Sequence, residues 1–172
     1  MKNPFLILLS ILTLQAGYSQ TLRSILLEQI KTTHNNKDWF VPINASIEGL
    51  TADQASWNDG SGNHSIAQLT NHLIFWNLQQ LAKMKGEKAP AFNGDNNETF
   101  SSVDKTTWES SVKRIDSVMI QLEKLLQTAS ESNLKKWATN FAHIATHNAY
   151  HTGQILYIRK EQHSWDEAKG VK

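Results

Sequence analysis

WESSVKRIDSVMIQLEKLL, residues 108–126, sets Trp108, Val112, Ile115, Met119, Leu122 and Leu126 at alternating spacings of four and three. An α-helix turns about 100° per residue, so these six side chains share one stripe and most charged residues between them fall elsewhere. A half-buried strand would alternate at every second residue, which this segment does not do. One face is therefore built for burial. A lone helix cannot cover its own stripe, so the rest of the chain must supply partners for it.

Working outward, three more segments carry the helical period. Leu22, Ile25, Leu26, Gln29, Ile30 and Thr33 recur at three and four, predicting a first helix from Thr21 to about Asn36. Ser65-Ile66-Ala67-Gln68 has the capping-box pattern, in which serine and glutamine reciprocally satisfy free backbone N–H groups; a second helix should run from there to about Lys85. Residues 128–136 are polar and read as a connection. Beyond them Phe141, Ile144, His147, His151, Ile155 and Ile158 predict a fourth helix ending near Gln162. Pro42, Gly49, Gly60 and Gly62 break any period, so residues 41–64 read as a long loop, with Trp39, Phe40 and Trp57 tucked under the helices. Residues 86–101, rich in Gly, Asn and Pro, form the next connection. No segment alternates like a strand and no internal repeat is evident. The expectation is all-α: one four-helix bundle with long connections between helices 1 and 2 and between helices 2 and 3.

The chain has 172 residues, 40% of them hydrophobic, and 3 prolines, which suits one globular domain with a sizeable core. Residues 1–19 read differently. Lys2 gives a positive start, residues 4–14 are almost wholly apolar, and Gly17-Tyr18-Ser19 offers the small residues a signal peptidase requires. We therefore expect a signal peptide over residues 1–19, cleaved after Ser19, and an exported domain over residues 20–172, periplasmic or secreted. The apolar run is too short to span a bilayer comfortably, so no stable membrane insertion is expected after cleavage. Cleavage would remove one cation, Lys2, and no acid, bringing the formal net charge from +1 to 0. A neutral chain whose aromatics sit at core-like spacings, Trp76 and Trp108 among them, gives no footprint for nucleic acid. The chain has no cysteine, which excludes thiol nucleophiles, thiolate ligands, a lipid-modified cysteine and disulfides.

His143, His147 and His151 advance round the fourth helix by roughly 40° at each step and so lie on one stripe with Ile144 and Ile158. Thr152 and Gly153 fall outward in the same reckoning. An inward histidine is either a neutral, hydrogen-bonded core residue or a ligand. An i, i+4 pair on one face is the spacing by which a helix gives two imidazole nitrogens to one cation, with a third ligand wanted from a neighbouring helix. His72, beside Leu69, Leu73 and Trp76 on the second helix, is the candidate. Three histidines leave coordination positions for water or substrate. The glutamate that follows the first histidine in a zincin-type peptidase is absent, since Ile144 follows His143 and Asn148 follows His147. His143 is a hydrogen-bond partner of the site, a proton acceptor or a packed residue. Tyr150 and Gln154 are the pair's immediate surroundings, and the Gln154 amide either serves a ligand's free ring nitrogen or a bound water, or simply packs. Gly153 costs the helix about 1 kcal/mol relative to alanine, which close approach of another helix or subunit would explain. His34, His64 and His163 lie in or near loops and are expected to be exposed, with His64 placed to approach the mouth of the site.

With these residues identified, the chain resembles the DinB-like family, also called the DinB/YfiT-like metalloenzymes. The resemblance rests on Ser65-Ile66-Ala67-Gln68-Leu69 leading to His72, on the run from Phe141 to Ile155 that holds His143, His147, His151, Gly153 and Gln154, and on the order of the helices. It implies a four-helix bundle in which His72, His147 and His151 bind a divalent metal ion, commonly zinc or nickel. It also implies a metal-dependent hydrolase or transferase activating water or a thiol on a small substrate whose identity the resemblance does not give. Many relatives pair into a homodimer, and the same is expected here. The alternative is a metal- or small-ligand-binding bundle without turnover. Asn148 and Thr152 stand where many members carry an acidic and a basic residue. An exported chain would also be parted from the thiol cofactors of the reducing cytoplasm, which the characterised transferases use.

Overall fold

The capping box read at Ser65 forms. The Ser65 hydroxyl accepts the Gln68 N–H at 3.3 Å and the Gln68 side chain accepts the Ser65 N–H at 2.9 Å, opening a helix that closes on Gly86 at φ 71°. The computed structural model describes residues 21–171, so the expected signal peptide, residues 1–19, lies outside the described residues. Four long helices are present: α1 (Leu22–His34), α4 (Ile66–Lys85), α5 (Lys105–Thr128) and α6 (Glu131–Glu161). Two short ones, α2 (Ile43–Ile47) and α3 (Ala52–Ser56), lie in the connection after α1. Among the described residues there are no strands, so the fold is all-helical as expected. None of these helices is long and apolar enough to cross a membrane.

The long helices close a ring: α1 packs on α5 and α6, and α4 packs on the same two. Inside it, Ile115, Met119, Leu122 and Leu126 of α5 meet Leu26 and Ile30 of α1, Leu73 of α4, and Phe141 and Ile155 of α6 in one buried cluster. Each such aliphatic side chain stabilises the fold by about 1.5–3 kcal/mol. The predicted stripe of α5 is the centre of the core.

Three expectations need correction. The polar run 128–136 is mostly helical, because Ser130 caps α6 by accepting the Asn133 N–H and Leu134 and Trp137 bury one face of the first turns. Polarity there marks the solvent face rather than a loop. Arg23 fixes the sharp join by donating to the free carbonyls of Leu126, Gln127 and Ala129 at the end of α5. In residues 41–64 the aliphatics Val41, Ile43, Ile47 and Leu50 enter the core, whereas Trp39 and Trp57, expected under the helices, are 90% and 37% exposed. The short helices turn these aliphatics inward, and Trp39 precedes them. Finally, His34 is 1% exposed, with its ring nitrogens 2.5 Å from Glu123 and 2.9 Å from Asp116. It continues the Leu26, Ile30 stripe by one further step of four, which its place at the helix end concealed.

Candidate metal centre

Adjacent helices α4 and α6 bring His72, His147 and His151 together, with one ring nitrogen of each within 4.8 Å of the others. His147 stands in the middle, its Nε2 3.1 Å from that of His72 and 3.0 Å from that of His151. A neutral imidazole has one N–H and one lone pair, so the partner of each Nδ1 decides what each Nε2 presents. The Thr99 hydroxyl gives its proton to the Asn96 carbonyl at 2.7 Å and so accepts from His72 Nδ1 at 2.5 Å. The Gln154 side-chain oxygen can only accept, and it takes the His151 Nδ1 proton at 2.6 Å. Both rings therefore turn an Nε2 lone pair inward. His147 has at most one proton at its own Nε2 and can satisfy only one of the two, so at least one inward lone pair is left without a donor.

Protonation does not relieve this conflict. Burial, reinforced by the neighbouring imidazoles, pushes His72 down to about 3; burial and His151 push His147 down to about 4; burial also lowers His151, against the Gln154 hydrogen bond. A neutral three-imidazole set, too hindered to take protons and short of donors, fits a divalent metal ion.

A stack of rings holds the site from one side. Phe100 lies parallel to His72 at 3.9 Å between ring centroids, and His64 lies on Phe100 at 3.7 Å. A cleft of about 440 Å³ reaches all three histidines and is lined also by Trp76, Asn140 and His143. A larger one, about 730 Å³, reaches His151 past Tyr150, Gly153 and Gln154.

The remaining site expectations divide. Gln154 serves the free ring nitrogen of His151, and its amide N–H₂ donates to the exposed Tyr150 hydroxyl at 3.4 Å. His64 does approach the mouth, through Phe100 and the larger cleft. His143 is exposed and lines the smaller cleft without joining the three. Thr152 is buried rather than outward, its hydroxyl bonded to the Asn148 carbonyl at 2.7 Å, and Asn148 points into the core toward Asn77 and Met119. The buried face of α6 is centred on Phe141, Asn148 and Ile155 rather than on the histidine stripe, so Thr152 lies within it and the histidines lie along its edge, with His143 exposed. Gly153 has no helix against it in the protomer, since a Cβ there would meet nothing within 4 Å. Sequence reasoning missed Thr99 and Phe100 altogether. They lie on or beside the short 3₁₀ turn Asn96–Thr99, and loop residues carry no period from which their direction could be read.

No curated protein and no solved structure matches the chain. The sequence model of the DinB superfamily, however, matches residues 43–155, a span that takes in the whole of α4 and α5 and all three histidines. Helical fold, histidine placement and sequence thus agree, and the chain belongs to the DinB superfamily.

Proposed function

We propose that the protein is a divalent-metal-dependent enzyme acting on a small organic molecule, with His72, His147 and His151 as the metal ligands. The observation that carries this reading is the pair of inward Nε2 lone pairs on His72 and His151, fixed by Thr99 and Gln154 and left without enough protons. A cleft open to all three histidines, with a second that reaches His151, supports a site that admits substrate rather than a closed structural one. A bound divalent ion, zinc or nickel by the family resemblance, would supply Lewis acidity, polarising a substrate oxygen or making water or a thiol nucleophilic near neutral pH. The chain's own residues do the rest. Thr99 and Gln154 hold two ligand rings in the ligating tautomer, and Phe100 limits rotation of His72 and keeps water from its face. No aspartate or glutamate lines the smaller cleft, which leaves His143 to accept or return a proton there.

The leader-like residues 1–19 favour an exported protein, and with it water over the thiols of the cytoplasm as nucleophile. The lack of a carboxylate base beside the histidines favours a second reading, a binding bundle without turnover. Elemental analysis of the purified protein, followed by turnover assays on ester, amide and phosphoester panels for wild type, His147→Ala and His143→Ala, separates the two. Stoichiometric metal with hydrolysis that both variants lose supports the enzyme. Stoichiometric metal with no turnover on any panel supports the binding module. A protein without metal refutes the metal enzyme and leaves only a small-ligand-binding bundle. The expected homodimer, on the same footing, would give twice the chain mass in light scattering.

A further inference from the structure

Gly153 is the residue of α6 that packing does not explain. It sits well inside a 31-residue helix, where glycine weakens the structure relative to alanine, yet a Cβ on it would meet nothing within 4 Å. The open space above it is the larger cleft, about 730 Å³. Tyr150, Gly153, Tyr157 and Glu161 run along one stripe of α6 and line this cleft over about 16 Å of helix axis, starting beside His151. Trp57 and Asp59 join them from the segment after α3.

The lining has a definite chemistry. Trp57, Tyr150 and Tyr157 are 37%, 63% and 66% exposed, three large aromatics kept in water around one concavity. The charged side chains of the lining, apart from histidine, are the carboxylates of Asp59 and Glu161, with no lysine or arginine among them. Hydrogen bonds from the Ser61 hydroxyl and backbone hold the Asp59 carboxyl below the usual range, so it stays anionic. Glu161 forms no ion pair among the described residues. Aromatic faces and carboxylates with no cation beside them attract organic cations, and the cleft sets no lysine or arginine against a phosphate or carboxylate.

We propose that this cleft takes the substrate, a small organic cation with an amine or quaternary ammonium head on an apolar or aromatic body, lying across Gly153. That its reacting end is the one at His151 rests on the metal-enzyme reading; the recognition itself does not. Binding of benzyltrimethylammonium, benzyl alcohol and benzoate to the purified protein, followed by tryptophan fluorescence and by the NMR shift of the Gly153 amide, tests the proposal. The expected result is at least tenfold tighter binding of the cation than of either other probe, with the Gly153 amide among the shifted signals. Gly153→Leu, whose Cβ meets nothing within 4 Å and whose branches extend into the cleft, should lose at least tenfold of that affinity while its circular dichroism and Tm stay at or near wild type. Neutralising the carboxylates in Asp59→Asn/Glu161→Gln should bring the cation down to the level of benzyl alcohol. Equal binding of all three probes, or unchanged cation binding by folded Gly153→Leu, overturns the proposal. The titration is run on metal-loaded and chelator-treated protein. Cation selectivity in a protein that holds no metal keeps this inference and sinks the metal reading, and stoichiometric metal without cation selectivity does the reverse.

Discussion

Replacing Thr99 by valine removes one hydroxyl and leaves the side-chain shape almost unchanged. Within the histidine group Thr99 hydrogen-bonds His72, where it accepts the Nδ1 proton at 2.5 Å. Without it the ring has two courses. It can keep its proton on Nδ1 with no acceptor, in a pocket closed by Phe100, at a cost of about 1–3 kcal/mol. Alternatively the proton moves to Nε2 and is donated to His147 3.1 Å away, which relieves the metal-free protein but removes the inward lone pair. Either course weakens metal binding. Loss of a partner that orients a ligating histidine typically lowers affinity about 10- to 100-fold, or about 1.4–2.7 kcal/mol. Both lose the hydroxyl's bond to the Asn96 carbonyl, but the metal-free protein loses more stability on the first course, which also leaves the Nδ1 proton without an acceptor, than on the second. Competition against a chromophoric chelator measures the affinity, and thermal melts of chelator-treated protein distinguish the courses. Thr99→Ser, which keeps the hydroxyl, should bind close to wild type. Thr99→Val binding within about threefold of wild type, less than the smallest effect expected of such a partner, would show that the Thr99 contact does not set the tautomer.

Other consequences can be checked directly. His147→Ala and His151→Ala should each lose most of the metal by elemental analysis with helical content kept, because the core on α5 does not depend on them, whereas His143→Ala should keep it; full metal in the first two returns them to the ordinary core. In metal-free protein, His72 and His147 are held at about 3 and about 4 against an ordinary 6.5, so the unfolded chain binds more protons across that interval. Stability is then full above pH 6.5 and falls as the pH drops toward 4; Tm should follow, with a shallower fall in His147→Gln, and an identical fall in the variant would be inconsistent with a buried neutral His147. His34→Leu leaves Glu123 and Asp116 without their shared partner and should cost about 1–3 kcal/mol, or roughly 2–12 °C in Tm, and a change under about 2 °C would mean the pairing contributes little. Mass spectrometry of material secreted by a processing host should find Gln20 at the amino terminus, and full-length chain alone would contradict cleavage after Ser19.

Helical periodicity reported what each long helix buries, and there the sequence was legible. The α5 stripe, the capping box at Ser65 and the inward pair His147 and His151 all follow from local spacing, as does the placing of His72 on the same side as Leu69 and Leu73. What a buried polar residue meets is decided by the opposing element, and spacing is silent on that. His34 and His72 illustrate the difference, since each sits on the buried face of its helix. His34 faces Asp116 and Glu123, one and the same side of α5 at a spacing of seven, and is held between carboxylates. His72 faces α6 and meets two imidazoles. Neither outcome is written in α1 or α4 alone.

The connections were the least legible, and they supply part of the site's tuning. Thr99 and Phe100 reach His72 from a 3₁₀ turn whose direction no period fixes. By contrast Asn148 and Thr152, the two positions where this chain departs from many relatives, turn away from the histidines. Asn148 bonds Asn77 and packs its amide on the Met119 sulfur, and Thr152 bonds back to the Asn148 carbonyl. A charge at either place would here be buried in the core without a partner, a cost of several kcal/mol. The uncharged pair is therefore explained by α4 and α5 packing, and it removes no polar contact from the histidine group. The contacts that decide how those histidines present their lone pairs come from Thr99 and Gln154, neither of which the departures touch.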